Sequence, residues 1–243
     1  MRKLVFLLCI PIMGIAQDSY ERQAGIDVLS YAVQIALNDS NDRITAKSEI
    51  EVVLSGEVEH LYLDLTNERE GKGMLVQGVF FEEEALSFAH KNDRLTIELN
   101  QRIRKDGGLR LTVLYEGEPS DGLIISKNKH GDRTFFGDNW PNRAHHWFPC
   151  IDHPSDKASI EFDVMAPSHY QVISNGEKLL SKKQNNGFTR TIYSTSLVLP
   201  TKVMVIGVAK FSTKLCEAGK QFTQSSAYVY PQEEEQGFSD YCS

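Results

Sequence analysis

The chain has 243 residues, with 33 acidic and 26 basic side chains and a formal net charge of −7. With no basic run anywhere, that balance argues against nucleic acid or an anionic membrane as a working partner. Four cysteines, one of them in the apolar leader, are too sparse for a disulfide framework.

Met1 to Ala16 has the pattern of a secretory signal peptide. Arg2 and Lys3 open it, an apolar run extends from Leu4 to Ile15, and Gly14 and Ala16 form a small-residue cleavage pattern before Gln17. The run is shorter than the roughly 20 apolar residues that a bilayer span needs, and no later stretch qualifies. The expectation is an exported protein, periplasmic or extracellular, with no stable membrane anchor. The remainder has the size of one large β domain or two small ones, enough to bury roughly 70% of its unfolded surface. Cys150, Cys216 and Cys242 survive cleavage, and pairing of Cys216 with Cys242 is left open.

From Val28 the apolar period is two. Tyr31, Val33, Ile35 and Leu37 alternate with smaller or polar residues, and Asn38 to Asp42 supplies a turn, since these side chains bond their own backbone. Ile50, Val52 and Leu54 return on one face, making a hairpin. Leu61, Leu63 and Leu65 repeat the pattern. Phe81 leads through Glu82 to Glu84 into Leu86 and Phe88, and the turn Lys91-Asn92-Asp93 precedes Leu95, Ile97 and Leu99. Asp106-Gly107-Gly108 predicts a turn before Leu109, Leu111, Val113 and Tyr115. Alternation with one polar face predicts an all-β fold, an antiparallel sandwich or saddle of many short strands. Further on, Leu123 to Ile125, then Ile160, Phe162 and Val164, then Val172-Ile173 before Ser174-Asn175-Gly176, are strand signals. Ile192 and the run Val203 to Val208 read as buried strands, with Pro200 at a strand entry. At the end, Pro231 with Glu233 to Glu235 starts a helix, with Phe238 and Tyr241 on its apolar face. The predicted division is a leader at 1–16, a β domain at 17–230 and the start of a following helical segment at 231–243.

The stretch from Thr134 to Ala158 breaks this rhythm. It holds both tryptophans, three of the eight prolines and three of the seven histidines. Such a segment must plug a core or line a pocket. No histidine is followed by glutamate, so the H-E-x-x-H pattern of a zinc protease is absent, as are G-x-S-x-G, a Walker loop and a dinucleotide fingerprint. His146, Cys150, Asp152 and His153 have spacings compatible with a metal knuckle. The flanking Pro149, Pro154, Trp147 and Phe148 favour a packed, non-ligating loop instead. Cys150 lacks a helix N-terminus to activate it as a nucleophile. Arg143, Asp152, Asp156 and Lys157 suggest a loop clamped by charge-assisted hydrogen bonds. Asn38-Asp39-Ser40 fits a glycosylation acceptor.

Arg143-Ala144-His145-His146-Trp147-Phe148-Pro149-Cys150-Ile151-Asp152-His153-Pro154, followed by Ser155-Asp156-Lys157-Ala158, resembles the N-terminal domain of the M1 zinc aminopeptidases, where the pattern is close to A-R-x-x-F-P-C-x-D-E-P-x-x-K-A. The likeness continues through Ser174-Asn175-Gly176 and Pro200-Thr201-Lys202-Val203, and Asp27 to Tyr31 matches the opening of that domain. It covers most of the chain after the leader. The resemblance implies a saddle-shaped β domain placed before a thermolysin-like catalytic domain, in an enzyme that removes N-terminal residues from peptides. It implies zinc in a full-length homologue, held by H-E-x-x-H ligands, with a Gly-x-Met-Glu-Asn motif gripping the peptide. Neither motif occurs here, so no catalytic residue, metal ligand or cofactor is expected in this chain, and the expected partner is an M1 catalytic domain in cis or trans. Arg143, Trp147, Phe148, Pro149, Cys150, Asp152, Pro154, Asp156 and Lys157 would form the interface and structural loop. The substrate-amine contact, usually glutamine in the family, falls on Asp138 with Asn139 adjacent. His153 replaces the usual glutamate. The alternative expectation is a free-standing exported β-sandwich that binds a partner without enzymatic activity.

Overall fold

The computed structural model describes residues 18–99, 107–216 and 225–242. The leader at 1–16, Asp106 of the predicted turn and Ser243 lie outside them. In chain order the first strands are β1 (Ile26–Ala36), β2 (Ile44–Leu54), β3 (His60–Asp64), β4 (Gly73–Phe81), β5 (Glu84–Ala85), β6 (Phe88–Lys91), β7 (Arg94–Glu98) and β8 (Gly107–Glu118). Then come β9 (Leu123–Lys127), β10 (Arg133–Gly137), β11 (Ala158–Pro167), β12 (Gln171–Ser174), β13 (Glu177–Lys183) and β14 (Phe188–Leu199). β15 (Ile206–Ala209), β16 (Ser212–Cys216), β17 (Ser225–Val229) and one helix, α1 (Glu234–Tyr241), complete the described chain. The all-β expectation holds.

One eight-stranded sheet, ordered β13-β14-β11-β1-β2-β8-β4-β5, carries the structure, and a four-stranded, a three-stranded and a two-stranded sheet accompany it. Its ladders are antiparallel except one. β1 and β11 run parallel, with Tyr31 opposite Ile160 and Val33 opposite Phe162. A parallel neighbour needs a long connection, and here the whole of β2 to β10 intervenes. Several central strands are also longer than the short strands expected: β1 and β2 have 11 residues, β8 and β14 have 12.

The period-two pattern accounts for the buried face. Tyr31, Val33, Ile35, Ile50, Val52, Leu111, Val113, Tyr115, Phe162 and Val164 are buried in one continuous core. On β1 the alternation skips between Val28 and Tyr31, where the register with β2 shifts by a bulge; the extra residue keeps both side chains inward. Buried residues of the smaller sheets, among them Leu61, Leu63, Leu95, Ile97, Phe135 and Val208, belong to the same core.

Three sequence expectations are corrected. Gly107 and Gly108 begin β8 rather than form a turn, pairing with Leu54 and Val53. Val203 is not in a strand. Thr201–Val203 is a short 3-10 turn, and the strand starts at Ile206. Tyr241 does not share a buried face with Phe238, because it is 75% exposed.

Trp147 and Phe148 fill the centre of the core, both fully buried. The indole stacks on Phe162 with ring centroids 5.6 Å apart and planes 13° from parallel. Phe148 meets Tyr31 and Phe162 edge-on at 6.1 and 6.3 Å. Trp147→Ala is expected to lower the unfolding free energy by about 3–5 kcal/mol, the range for removing a buried aromatic. The denaturant midpoint reads this out, and an unchanged midpoint would contradict the packing described.

Candidate functional site: the ledge and cleft of the loop at 138–157

The loop leaves β10 at Asp138 and returns at β11. Its course is set by where its backbone polar groups find partners. Asp64 and Cys150 exchange backbone hydrogen bonds, Asp64 N to Cys150 O at 2.7 Å and Cys150 N to Asp64 O at 3.2 Å. The Ile151 amide donates to the Tyr31 hydroxyl at 3.1 Å. Gly122 lies so close beneath the loop, at φ +72°, that a Cβ would sit 2.0 Å from the Arg143 carbonyl oxygen; only glycine fits there.

Asn139 is the hub. Its side chain is buried, Oδ1 accepts the Trp147 indole N–H at 2.9 Å, and Nδ2 donates to the carbonyls of Thr201 at 3.0 Å and Met204 at 2.7 Å. The neighbouring turn joins this hub, with Asn175 Oδ1 accepting from Val205 N at 2.8 Å and Ser174 Oγ donating to Val205 O at 2.8 Å. Asn139 was expected beside a substrate amine; its amide is instead committed to the interior. Asp138 points outward, 54% exposed, and pairs with Arg143 at 2.6 Å.

Arg143 does form a clamp, but with other partners than those expected. Besides Asp138 it holds Asp121 at 3.3 Å, and its Nε donates to the Trp140 carbonyl at 2.6 Å. Asp152 belongs to a separate buried network. Its Oδ1 accepts from Thr201 Oγ1 at 2.7 Å, its Oδ2 from His145 Nδ1 at 2.6 Å, and its backbone N–H donates to Asp64 Oδ2 at 2.9 Å. Asp64 Oδ2 also accepts the Tyr20 hydroxyl at 2.5 Å. Sequence reasoning did not foresee this network: Tyr20, Asp64 and Thr201 meet their partners from far along the chain, and His145, seven residues from Asp152, stood in the motif without an assigned role. Lys157 and Pro154 are exposed, and Pro149 is buried.

The proposed knuckle residues do not converge. His146 Nδ1 lies 2.7 Å from Ser120 Oγ and 3.1 Å from Thr66 Oγ1, while His153 stacks on Tyr20 and bonds Ser155 and Asp18. Cys150 is wholly buried, and burial, followed by the nearby Asp152 and Asp64 charges, pushes its thiol well above the usual range. That is the opposite of a reactive thiolate. Burial lowers both neighbouring imidazoles, but Asp152 outweighs it at His145, whose pKa is raised, whereas His146 stays lowered. Among the described residues, no group of three or more His, Cys, Asp or Glu side chains is placed to hold a metal; the residues present do not fit a zinc site.

The Asn38 amide is likewise taken up in its turn, bonding Ser40, Asn41 and Arg43. Facing solvent next to the loop is a cleft of about 780 Å³, lined by Tyr20, Asp64, Arg94, Pro141, His153 and Lys202 among others. At its rim stands Trp140, 60% exposed, with a cis bond to Pro141. The Lys202 ammonium lies 4.3 Å from the Trp140 ring centroid, and Val203 beside it is 38% exposed. These residues make a ledge fixed from behind by Asn139 and Arg143.

Asp156 sits where the loop rejoins the sheet. Its Oδ2 is buried with no hydrogen-bond partner among the described residues, while Oδ1 accepts from Val28 N at 3.4 Å. Burial pushes its carboxyl up to about 6, with Asp27 adding to the rise against the opposing Val28 bond. A carboxyl pKa raised by folding favours the folded state most at pH below the ordinary value, about 4, and that contribution is lost as pH rises to about 6. The full shift corresponds to about 2.7 kcal/mol, and partial exposure of the carboxylate reduces it, so Asp156→Asn is expected to gain about 1 kcal/mol of stability at pH 8 relative to its effect at pH 4. Urea titrations at the two pH values check this, and equal effects at both would contradict it.

Comparison with known proteins matches this architecture. The family described as the Peptidase M1 N-terminal domain matches residues 27–203, well over half of the chain. Glutamyl aminopeptidase of Rattus norvegicus is 23% identical over 224 residues, which is 86% of this chain and 23% of that protein. The Homo sapiens glutamyl aminopeptidase is 23% identical over 154 residues, 59% of this chain and 16% of that protein. Among solved structures, the M1 zinc metallopeptidase from Deinococcus radiodurans superposes with a TM-score of 0.70 at 19% identity, over 85% of this chain and 48% of that one. Native yeast LTA4 hydrolase gives 0.69 at 18% identity, over 86% and 32%. The structural likeness speaks for the fold, and the chain spans less than a quarter of the curated relatives it matches. By its match over 27–203, this chain belongs to the family of M1 peptidase N-terminal domains.

Proposed function

We propose that this chain acts as the non-catalytic N-terminal domain of an exported M1 zinc aminopeptidase, supporting a catalytic domain and lining the entrance to its substrate site. The family match carries the reading. The ledge of Trp140, Lys202 and Val203 adds to it. An exposed aromatic that is already rigid forfeits little side-chain freedom on docking, and such residues concentrate at protein contacts. Asp138, beside that ledge, has one carboxylate oxygen on Arg143 and is the residue proposed to meet a substrate amine. Zinc would be held by H-E-x-x-H ligands, which this sequence lacks, so no step of peptide hydrolysis is assigned to these residues. Export is supported by the predicted leader and by the Cys216–Cys242 disulfide, a bond that persists mainly in oxidising compartments. Among the described residues no helix is long and apolar enough to cross a membrane.

Two measurements test the reading. The purified chain is expected to hydrolyse no aminoacyl reporter substrate with or without added zinc; chelator-sensitive turnover would contradict it. An H-E-x-x-H domain encoded in the same reading frame or the adjacent one should bind this chain, and Trp140→Ser should weaken that capture by about tenfold, the loss of a central aromatic contact. Absence of such a domain, with a soluble product that stays alone, would favour a free-standing binding module.

A further inference from the structure

The end of β16 and the residue after α1 are joined by the Cys216–Cys242 disulfide, across a sequence separation of 26. α1 has eight residues, shorter than the roughly 12–15 at which an isolated helix becomes even marginally stable. Its packing is thin. Gly237 is buried against Val229, where an added Cβ would lie 2.6 Å from Cγ1. Phe238 is half-buried under Lys214, whose Nζ is 5.8 Å from the ring centroid.

The two ends of this segment are held differently. Upstream, Gln232 donates to Asp132 at 2.8 Å, Ser212 donates to Glu234 at 2.8 Å, and Lys129 pairs with Glu233. The last turn is held back to β16 by the disulfide. The polar contacts survive a change of redox state, whereas the disulfide does not.

We propose that Cys216–Cys242 is a redox-set latch on the last turn of α1. Oxidised, it keeps that turn over the β16–β17 ribbon. A dithiol reductant would attack one sulfur, form a mixed disulfide and then close its own disulfide. Two electrons and two protons pass to Cys216 and Cys242, leaving two thiols. The last turn then leaves the ribbon, uncovering Val229 and the covered face of Phe238 and dismantling the groove of about 590 Å³ that Glu235 and Ser239 of α1 form with Lys214. The upstream contacts keep the segment attached at Glu233 and Glu234.

Amide exchange measured by mass spectrometry tests the latch on the oxidised chain, the dithiothreitol-treated chain and the Cys216→Ser/Cys242→Ser variant. Amides of Phe238 to Cys242 are expected to exchange at least about tenfold faster in the last two, with β1 and β11 unchanged. Equal protection in all three overturns the proposal, as does faster exchange spread through β1 and β11, which would mean that the bond holds the whole fold. Alkylation of Cys216 and Cys242 in denatured, unreduced protein overturns it as well, because the bond would not then form.

Discussion

The indole N–H of Trp147 must find an acceptor inside an apolar core, and Asn139 supplies it. An unpartnered donor at that depth would cost about 1–3 kcal/mol. Meeting this need has consequences well beyond the ring. The same amide takes the carbonyls of Thr201 and Met204, so the loop before Trp147 and the turn before β15 become one rigid piece. Phe162 of β11 and Tyr31 of β1 lie under the two plug rings, which ties that piece to the one parallel ladder of the large sheet. The two tryptophans consequently have opposite fates. Trp147 is drawn in, and Trp140, next to an inward Asn139, stands out.

The sequence made the large sheet legible because each strand buries only every second residue, and the period of two resumes at Tyr31 after the bulge between Val28 and Ser30. It concealed β13, whose residues Glu177–Lys183 lie on the sheet edge with only Leu180 partly covered, so no apolar alternation marks them. Val203 to Val208 looked like one apolar strand. The Thr201 and Met204 carbonyls are taken by Asn139, and the chain turns there before pairing begins. An asparagine 62 residues upstream decides that, and no local pattern displays it.

The loop itself was legible as a stiff plug and not as a set of partners. Rings and prolines announce burial by type alone. Charge partners are set by the fold: Asp64 reaches Asp152 across 88 residues and Tyr20 across 44. Hence Arg143 clamps the loop, but through Asp121 and Asp138 and not through the Asp152 and Asp156 that the sequence grouped with it. The titratable groups weighed for chemistry are spent on structure: Cys150 is sealed, Asp152 is bound to His145 and Thr201, His146 to Ser120 and Thr66, and His153 to Ser155.

Rigidity at this loop bears on what the surface can do. Binding costs free energy for every side chain that must be ordered, about 0.5–1.5 kcal/mol each for the flexible ones. Trp140 has its carbonyl held by Arg143 and its ring covered on one face by Lys202. Asn139, which satisfies Trp147, holds the Thr201 and Met204 carbonyls on either side of Lys202 and Val203. The core plug and the exposed ledge thus share a single buried amide.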